Sequence, residues 1–162
     1  MRSSEDQLKR QTTGQTGMTL LELIVACAIL LILSTAAVPL TRYTVKRQRE
    51  AELRQDLRDM RNAIDRYKDA ADSNKIRVEV GSEGYPPDLE TLVKGVQLGA
   101  GNDHKIRFLR HVPVDPMTGR TDWGLRSVQD DPDSTSWGGK NIFDVYSKSQ
   151  GIALDGTKYS DW

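Results

Sequence analysis

The sequence predicts an α+β protein in which one long N-terminal helix packs against a small antiparallel β-sheet. An almost wholly apolar stretch covers residues 18–40. The helix then continues, because apolar residues recur at alternating spacings of four and three along one helical face: Leu53, Leu57, Met60, Ile64, Tyr67 and Ala71. Beyond residue 72 the chain changes to short alternating segments separated by glycine and proline, which is typical of strands and turns.

The apolar stretch, residues 18–40, has the length of a membrane-spanning helix. At about 1.5 Å of rise per residue, it would cross the roughly 30 Å hydrocarbon core of a bilayer. Glu22 is its one charged residue. An ionisable group inside a membrane segment is costly and therefore a candidate for function.

Residues 1–17 form a polar segment that ends in Gly17. In an ordinary secretory signal peptide the cleavage site follows the apolar core. Here the natural cleavage site precedes it, so residues 1–17 would be removed and the apolar stretch would remain on the mature chain. An uncleaved signal anchor with a chance glutamate is the alternative interpretation.

The motif Gly-Met-Thr-Leu-Leu-Glu at residues 17–22 resembles the class III leader of type IV pilins and type II secretion pseudopilins. The resemblance implies that prepilin peptidase cleaves between Gly17 and Met18 and methylates the new amine of Met18. Glu22 matches the glutamate of the family motif, and Pro39 matches a proline that kinks the helix. Met18 stands where phenylalanine is usual in the family. The implied fold is pilin-like, with a long helix carrying a globular head.

Residues 41–72 are predicted to form the amphipathic continuation of the helix. Glu50 and Arg54 are spaced for an ion pair along one helix face. Positive charge flanks the apolar stretch on both sides, so it does not orient the segment, and an N-terminus inside the cell follows only from the resemblance. A parallel coiled coil is the alternative to packing of the apolar stripe on the chain's own head.

Residues 73–162 are predicted to form a globular head. Asp88 is placed to cap a short helix. Glycine-rich residues 95–102 and polar residues 129–140 are expected to be loops. Strands are expected at three places, residues 76–80, 121–128 and 142–147.

Two head motifs resemble the major pseudopilins, the general secretion pathway protein G family. They are Tyr85-Pro86 after the long helix and the Asp115-Pro116 turn. Cys27 is the single cysteine, so the chain has no disulfide of the kind found in many type IV pilins. These features favour a pseudopilin over a true pilin.

The C-terminal segment, residues 144–162, also resembles that family, and many of its members bind calcium there. By position Asp155 and Asp161 are the candidate calcium ligands, since carboxylate oxygens suit this ion. Lys148-Ser149-Gln150 stands where the calcium-binding members carry glycine-alanine-aspartate. The alternative is a loop closed by turns and by packing of Tyr159 and Trp162.

Other functional classes find little support in the sequence. The chain has 23 basic and 23 acidic residues, so no basic field indicates nucleic acid. It lacks the familiar catalytic and phosphate-binding motifs, and we expect no enzymatic activity. His104 and His111 lack the further ligands of a zinc site and are expected at the surface.

The expected function is therefore that of a structural subunit of a type II secretion pseudopilus. The resemblance implies assembly into a homo-oligomeric filament, with prepilin peptidase, an inner-membrane secretion platform and minor pseudopilins as partners. The protein would sit in the bacterial inner membrane with residues 73–162 in the periplasm. Two alternatives remain: another member of the same class (a type IV pilin or a minor pseudopilin), and a membrane-anchored periplasmic binding module.

Overall fold

The computed structural model describes residues 19–99 and 104–162, and for residues 36–41 it describes the backbone alone. The predicted leader, including Gly17, and the predicted methylated residue Met18 lie outside the described residues. The chain divides into two compact units, Met1–Arg42 and Tyr43–Trp162, and each is described by itself.

Helix α1 extends over Leu20–Asp72, in agreement with the predicted long helix. It runs through Pro39 as one continuous helix, and the kink predicted at Pro39 stays a prediction. The helix ends where Asn74 adopts a positive φ of 53° and Lys75 N–H donates to the Ala70 carbonyl at 2.9 Å. Asparagine tolerates this left-handed conformation and closes the last helical turn.

The predicted membrane span over residues 18–40 is not confirmed. In the ranges that the structure describes, no helix is both long enough and apolar enough to cross a membrane.

The core of the unit Tyr43–Trp162 is built on the predicted stripe of α1. Leu53, Met60 and Ile64 are fully buried, and they belong to one apolar cluster with Ile142 and Val145 from the C-terminal part of the chain. The stripe therefore packs on the chain's own head, and the coiled-coil alternative is not needed to bury it.

The strands are shorter than predicted and form two separate antiparallel sheets. Strand β1 (Val96–Gln97) pairs with β2 (Lys105–Ile106), and β3 (Gly124–Arg126) pairs with β4 (Asp144–Tyr146). The prediction of a single sheet is thus wrong. Residues 95–102 also contain a strand where a connecting loop was expected.

The strand predicted at residues 76–80 is reduced to a single bridge between Ile76 and Leu98. Ile76 is buried, but Val78 and Val80 are exposed. The alternating pattern therefore buries no continuous face, and nothing stabilises a longer strand.

The short helix α2 (Leu89–Lys94) follows the predicted cap. Asp88 accepts hydrogen bonds from the main-chain N–H of Thr91 at 2.6 Å and from its hydroxyl at 2.8 Å. These bonds satisfy an N–H group that the helix itself leaves free. A short 3₁₀ helix, Tyr159–Asp161, ends the fold.

Candidate functional site

The first candidate site is the start of α1. Thr19 caps the helix: its hydroxyl oxygen accepts from the Glu22 N–H at 3.2 Å, and its carbonyl accepts from the Leu23 N–H at 3.0 Å. Threonine followed three residues later by glutamate is the pattern of a capping box, which the sequence analysis missed. The carboxylate of Glu22 is exposed and makes no hydrogen bond or ion pair with the described residues.

An apolar surface surrounds this glutamate. The large side chains that follow are all exposed, from 49% for Val25 to 75% for Leu20, and they face every direction around the helix: Leu20, Leu21, Leu23, Ile24, Val25, Ile29, Leu30, Leu31, Ile32 and Leu33. The free thiol of Cys27 lies on the same exposed surface. Apolar surface of this extent is not stable in water, so it must be covered by lipid or by another protein.

The second candidate site is the C-terminal segment, where calcium was considered. Asp155 Oδ1 accepts from the Thr157 N–H at 3.0 Å and from its hydroxyl at 2.6 Å, while Asp155 Oδ2 lies 3.0 Å from Arg54 Nη2. These hydrogen bonds, from Thr157 first and then Arg54, lower the pKa of Asp155. Asp161 accepts a hydrogen bond from Ser160 at 3.0 Å.

This donor set does not fit a calcium ion. Both oxygens of Asp155 already accept hydrogen bonds, and the Arg54 guanidinium supplies the positive charge that a cation would bring. Within residues 19–99 and 104–162, no three carboxylate, histidine or cysteine side chains are grouped as metal ligands. Asp155 and Asp161 are therefore not brought together in a recognisable metal site.

Four side chains of α1 fasten the C-terminal segment to the helix: Lys46, Glu50, Arg54 and Arg61. Glu50 is buried, and its Oε1 accepts from the Tyr159 hydroxyl and from the Leu154 N–H, both at 2.9 Å. Burial, together with the negative charge of Glu50, raises the pKa of Tyr159 to about 12. The predicted ion pair between Glu50 and Arg54 is wrong, because both residues turn to partners in the C-terminal segment instead.

Lys46, Arg54 and Arg61 complete this attachment. Lys46 Nζ donates to the Ile152 carbonyl at 2.7 Å. Arg54 lies 3.9 Å from the centre of the Trp162 ring, so it stacks on an aromatic face while pairing with Asp155. Arg61 binds Asp144 at 2.7 Å, and it also donates to the main-chain oxygens of Val145 (3.1 Å) and Trp162 (2.8 Å). Sequence reasoning missed these contacts because their partners are 83 to 109 residues apart.

The Asp115-Pro116 turn has a buried carboxylate at its centre. Asp115 is fully buried; its Oδ1 accepts from the Met117 N–H at 2.7 Å and its Oδ2 from the Ser147 hydroxyl at 2.6 Å. The turn closes through the Gly119 N–H, which donates to the Asp115 carbonyl at 2.8 Å. The motif therefore fixes a turn, as predicted, and in addition joins it to the end of β4.

Comparison with known proteins adds one finding. Residues 12–38 match the prokaryotic N-terminal methylation motif, which is typical of type IV pilin-like proteins. This motif indicates a pilin-like or pseudopilin chain processed by prepilin peptidase. No curated protein and no solved structure matches the chain.

Proposed function

We propose that this chain is a structural subunit of a type II secretion pseudopilus, a filament that drives protein export. The single observation that carries the proposal is the exposed apolar part of α1, which lies within the residues that match the methylation motif and contains one exposed carboxylate, Glu22. A surface of this kind suits polymerisation, since each subunit's helix can be enclosed by the helices of its neighbours.

The proposed mechanism begins with processing. Prepilin peptidase cleaves after Gly17, and Met18 then carries the new methylated amine. Before assembly, the apolar segment lies in the bacterial inner membrane and the unit after it lies in the periplasm. Removal of the leader therefore creates a positive charge close to Glu22.

Assembly then pairs charges inside an apolar bundle. Burial of the Glu22 carboxylate alone is unfavourable, but pairing with the Met18 amine of a neighbouring subunit offsets much of that cost. The pair sets the axial register of the subunits, while the apolar side chains supply the bulk of the attraction. The partners are further copies of this chain, prepilin peptidase, the inner-membrane secretion platform and minor pseudopilins. The role is structural, with no catalytic step.

Substitution of Glu22 tests this mechanism. In cells with active prepilin peptidase, we expect Glu22→Gln and Glu22→Ala chains to be processed but to form far fewer filaments than the parent. Glu79→Gln, at an exposed head position, is the matched control and should assemble normally. The glutamine variant keeps the main-chain N–H that bonds Thr19, so its effect reports the carboxylate and not the helix cap. Normal filament yield in the Glu22→Gln chain would exclude the mechanism.

A further inference from the structure

Three arginines come together at one pocket of the unit Tyr43–Trp162. The pocket, called the arginine pocket, has a volume of about 350 Å³ and is lined by these arginines and two apolar residues: Arg66, Arg107, Arg110, Phe108 and Leu109. Among the described residues that line it, none is acidic. Because like charges repel, a group of three positive side chains around one space is stabilised by an anion placed between them.

Arg66, which belongs to α1, is held in place by main-chain oxygens. Its Nε donates to the Asn62 carbonyl at 3.2 Å, and its Nη2 donates to the Phe108 carbonyl. Both acceptors are uncharged, so these bonds orient the guanidinium without neutralising its positive charge. A guanidinium has five N–H donors, and the remaining donors of Arg66 are available to a ligand.

Arg107 is positioned by a close approach to Gly95. A Cβ atom at position 95 would lie 2.8 Å from Arg107 Cγ and 2.7 Å from the Ile106 main-chain oxygen, and Gly95 has a positive φ of 80°. Glycine is therefore required for the stem of Arg107 to lie here. A side chain whose stem is already packed loses less conformational entropy when its charged end binds a ligand.

Arg107 and Arg110 have no counter-charge of their own. Both are exposed, and neither side chain forms a hydrogen bond or an ion pair within residues 19–99 and 104–162. Together with Arg66, they leave three positive charges at the arginine pocket that are not paired with a carboxylate in this part of the chain.

Acidic residues border the arginine pocket but do not pair with it. Arg66 and Arg110 also line a larger adjoining groove of about 710 Å³. Three carboxylates line the same groove: Asp56, Asp59 and Asp65. In the described ranges, no ion pair joins these carboxylates to either arginine. An anion at the arginine pocket would therefore not have to displace an existing ion pair.

We propose that the arginine pocket binds a terminal phosphate group, either as free phosphate or on a lipid headgroup. A terminal phosphate has three unsubstituted oxygens and up to two negative charges, and guanidinium groups bind such oxygens through paired hydrogen bonds. A carboxylate has only two oxygens and one charge, so it would match three arginines less well. Leu109, which is half-buried, offers an apolar surface to the group that carries the phosphate. This site goes beyond the proposed function and does not depend on it.

Calorimetric titration of the full chain in a neutral detergent tests the site. Two probes carry a terminal phosphate: inorganic phosphate, and a phosphatidic acid with short acyl chains. Phosphatidylglycerol with the same acyl chains is the matched control ligand, because its phosphate is a diester with one charge and two unsubstituted oxygens. We expect phosphatidic acid to bind at least about tenfold more tightly than phosphatidylglycerol, and acetate not to compete.

Substitution of the arginines locates the binding. We expect the Arg107→Ala, Arg110→Ala chain to bind the terminal phosphate at least about tenfold more weakly, since it loses two charge-assisted contacts. The matched control is Arg77→Ala, Lys105→Ala, which removes two exposed positive charges outside the arginine pocket and should keep the parental affinity.

A single substitution guards against a change in folding. Arg110 is exposed and makes no contact of its own within the described residues, so Arg110→Gln should leave circular dichroism and thermal unfolding as in the parent. We still expect this chain to bind the terminal phosphate at least about threefold more weakly, because one of the three positive charges is gone.

The outcomes identify the source of the phosphate or overturn the site. Binding of phosphatidic acid alone would assign a lipid headgroup, and binding of inorganic phosphate would assign free phosphate; both support the proposal. No binding of either probe, equal binding of the diester or acetate, or an equal loss in the control chain would overturn it. Because the titration uses dispersed chains, these results are independent of whether the chain forms filaments.

Discussion

The Arg54 guanidinium lies 3.0 Å from Asp155 and, at the same time, 3.9 Å from the centre of the Trp162 ring. One side chain of α1 thus neutralises the loop carboxylate and covers an aromatic side chain near the C-terminus. The family resemblance implied calcium at this loop, and the structure places an arginine in the role of the cation. The attachment of the C-terminal segment therefore depends on protein side chains.

Metal removal is expected to leave the fold unchanged. Because Arg54 and Thr157 already occupy the oxygens of Asp155, the midpoint of thermal unfolding of the full chain should be the same with EDTA and with added calcium. Circular dichroism during heating measures this directly. A midpoint that rises on addition of calcium would show that the loop binds the ion after all.

Truncation of Arg54 should weaken the same attachment. We expect Arg54→Ala to lower the free energy of unfolding by about 1 kcal/mol, since it removes an exposed ion pair and a cation–π contact. Arg58→Ala, which loses only an exposed hydrogen bond to Gln55, is the matched control. Urea unfolding of both chains gives the comparison, and equal stability of the two would argue against the attachment.

Glu50 is expected to contribute more than Arg54 to the free energy of unfolding, because it is buried and accepts two hydrogen bonds. Glu50→Ala should lower the free energy of unfolding by about 2 kcal/mol, as it leaves the Tyr159 hydroxyl and the Leu154 N–H without their acceptor. Glu50→Gln keeps an acceptor oxygen and should cost less. Glu52→Gln, exposed on the same helix, should be neutral in urea unfolding. A Glu50→Ala chain as stable as the parent would contradict the claim that the hydrogen bonds to Glu50 stabilise the fold.

The buried hydrogen bond from Tyr159 to Glu50 makes the stability of the folded chain fall at high pH. Because the folded chain raises the pKa of Tyr159 to about 12, it favours the protonated phenol. Its contribution to stability is fully present below the ordinary pKa of about 10 and is lost as pH rises from there towards about 12. The phenolate absorbance of the parent minus that of Tyr159→Phe isolates this group. A difference titration centred near pH 10 would be inconsistent with the burial and charge around Tyr159.

Sequence reasoning succeeded where a local rule decides the structure. The buried face of α1 follows from the spacing of Leu53, Met60 and Ile64, and the cap of α2 follows from Asp88 before a short apolar run. Both depend on residues within a few positions of one another. The Thr19 cap was equally local and could have been found from the threonine that precedes Glu22 by three residues.

Sequence reasoning failed where contacts between residues far apart in the chain decide the structure. The spacing of Glu50 and Arg54 indicated a pair along the helix, but Glu50 gains more from Tyr159, which lies 109 residues further on. The strands were predicted too long because alternation in sequence does not reveal which face is buried, as Val80 shows by its exposure. Contacts of this kind depend on how the C-terminal segment packs against α1.

The central claim is that the chain is a processed filament subunit, and its most direct test is the N-terminus of the mature protein. Intact mass and N-terminal analysis of the chain from bacterial membranes should show a protein that begins at Met18 and carries one added methyl group. Gly17→Ala, which alters the residue before the cleavage site, should retain the leader. A parent chain that keeps residues 1–17 in cells with active prepilin peptidase would contradict the account.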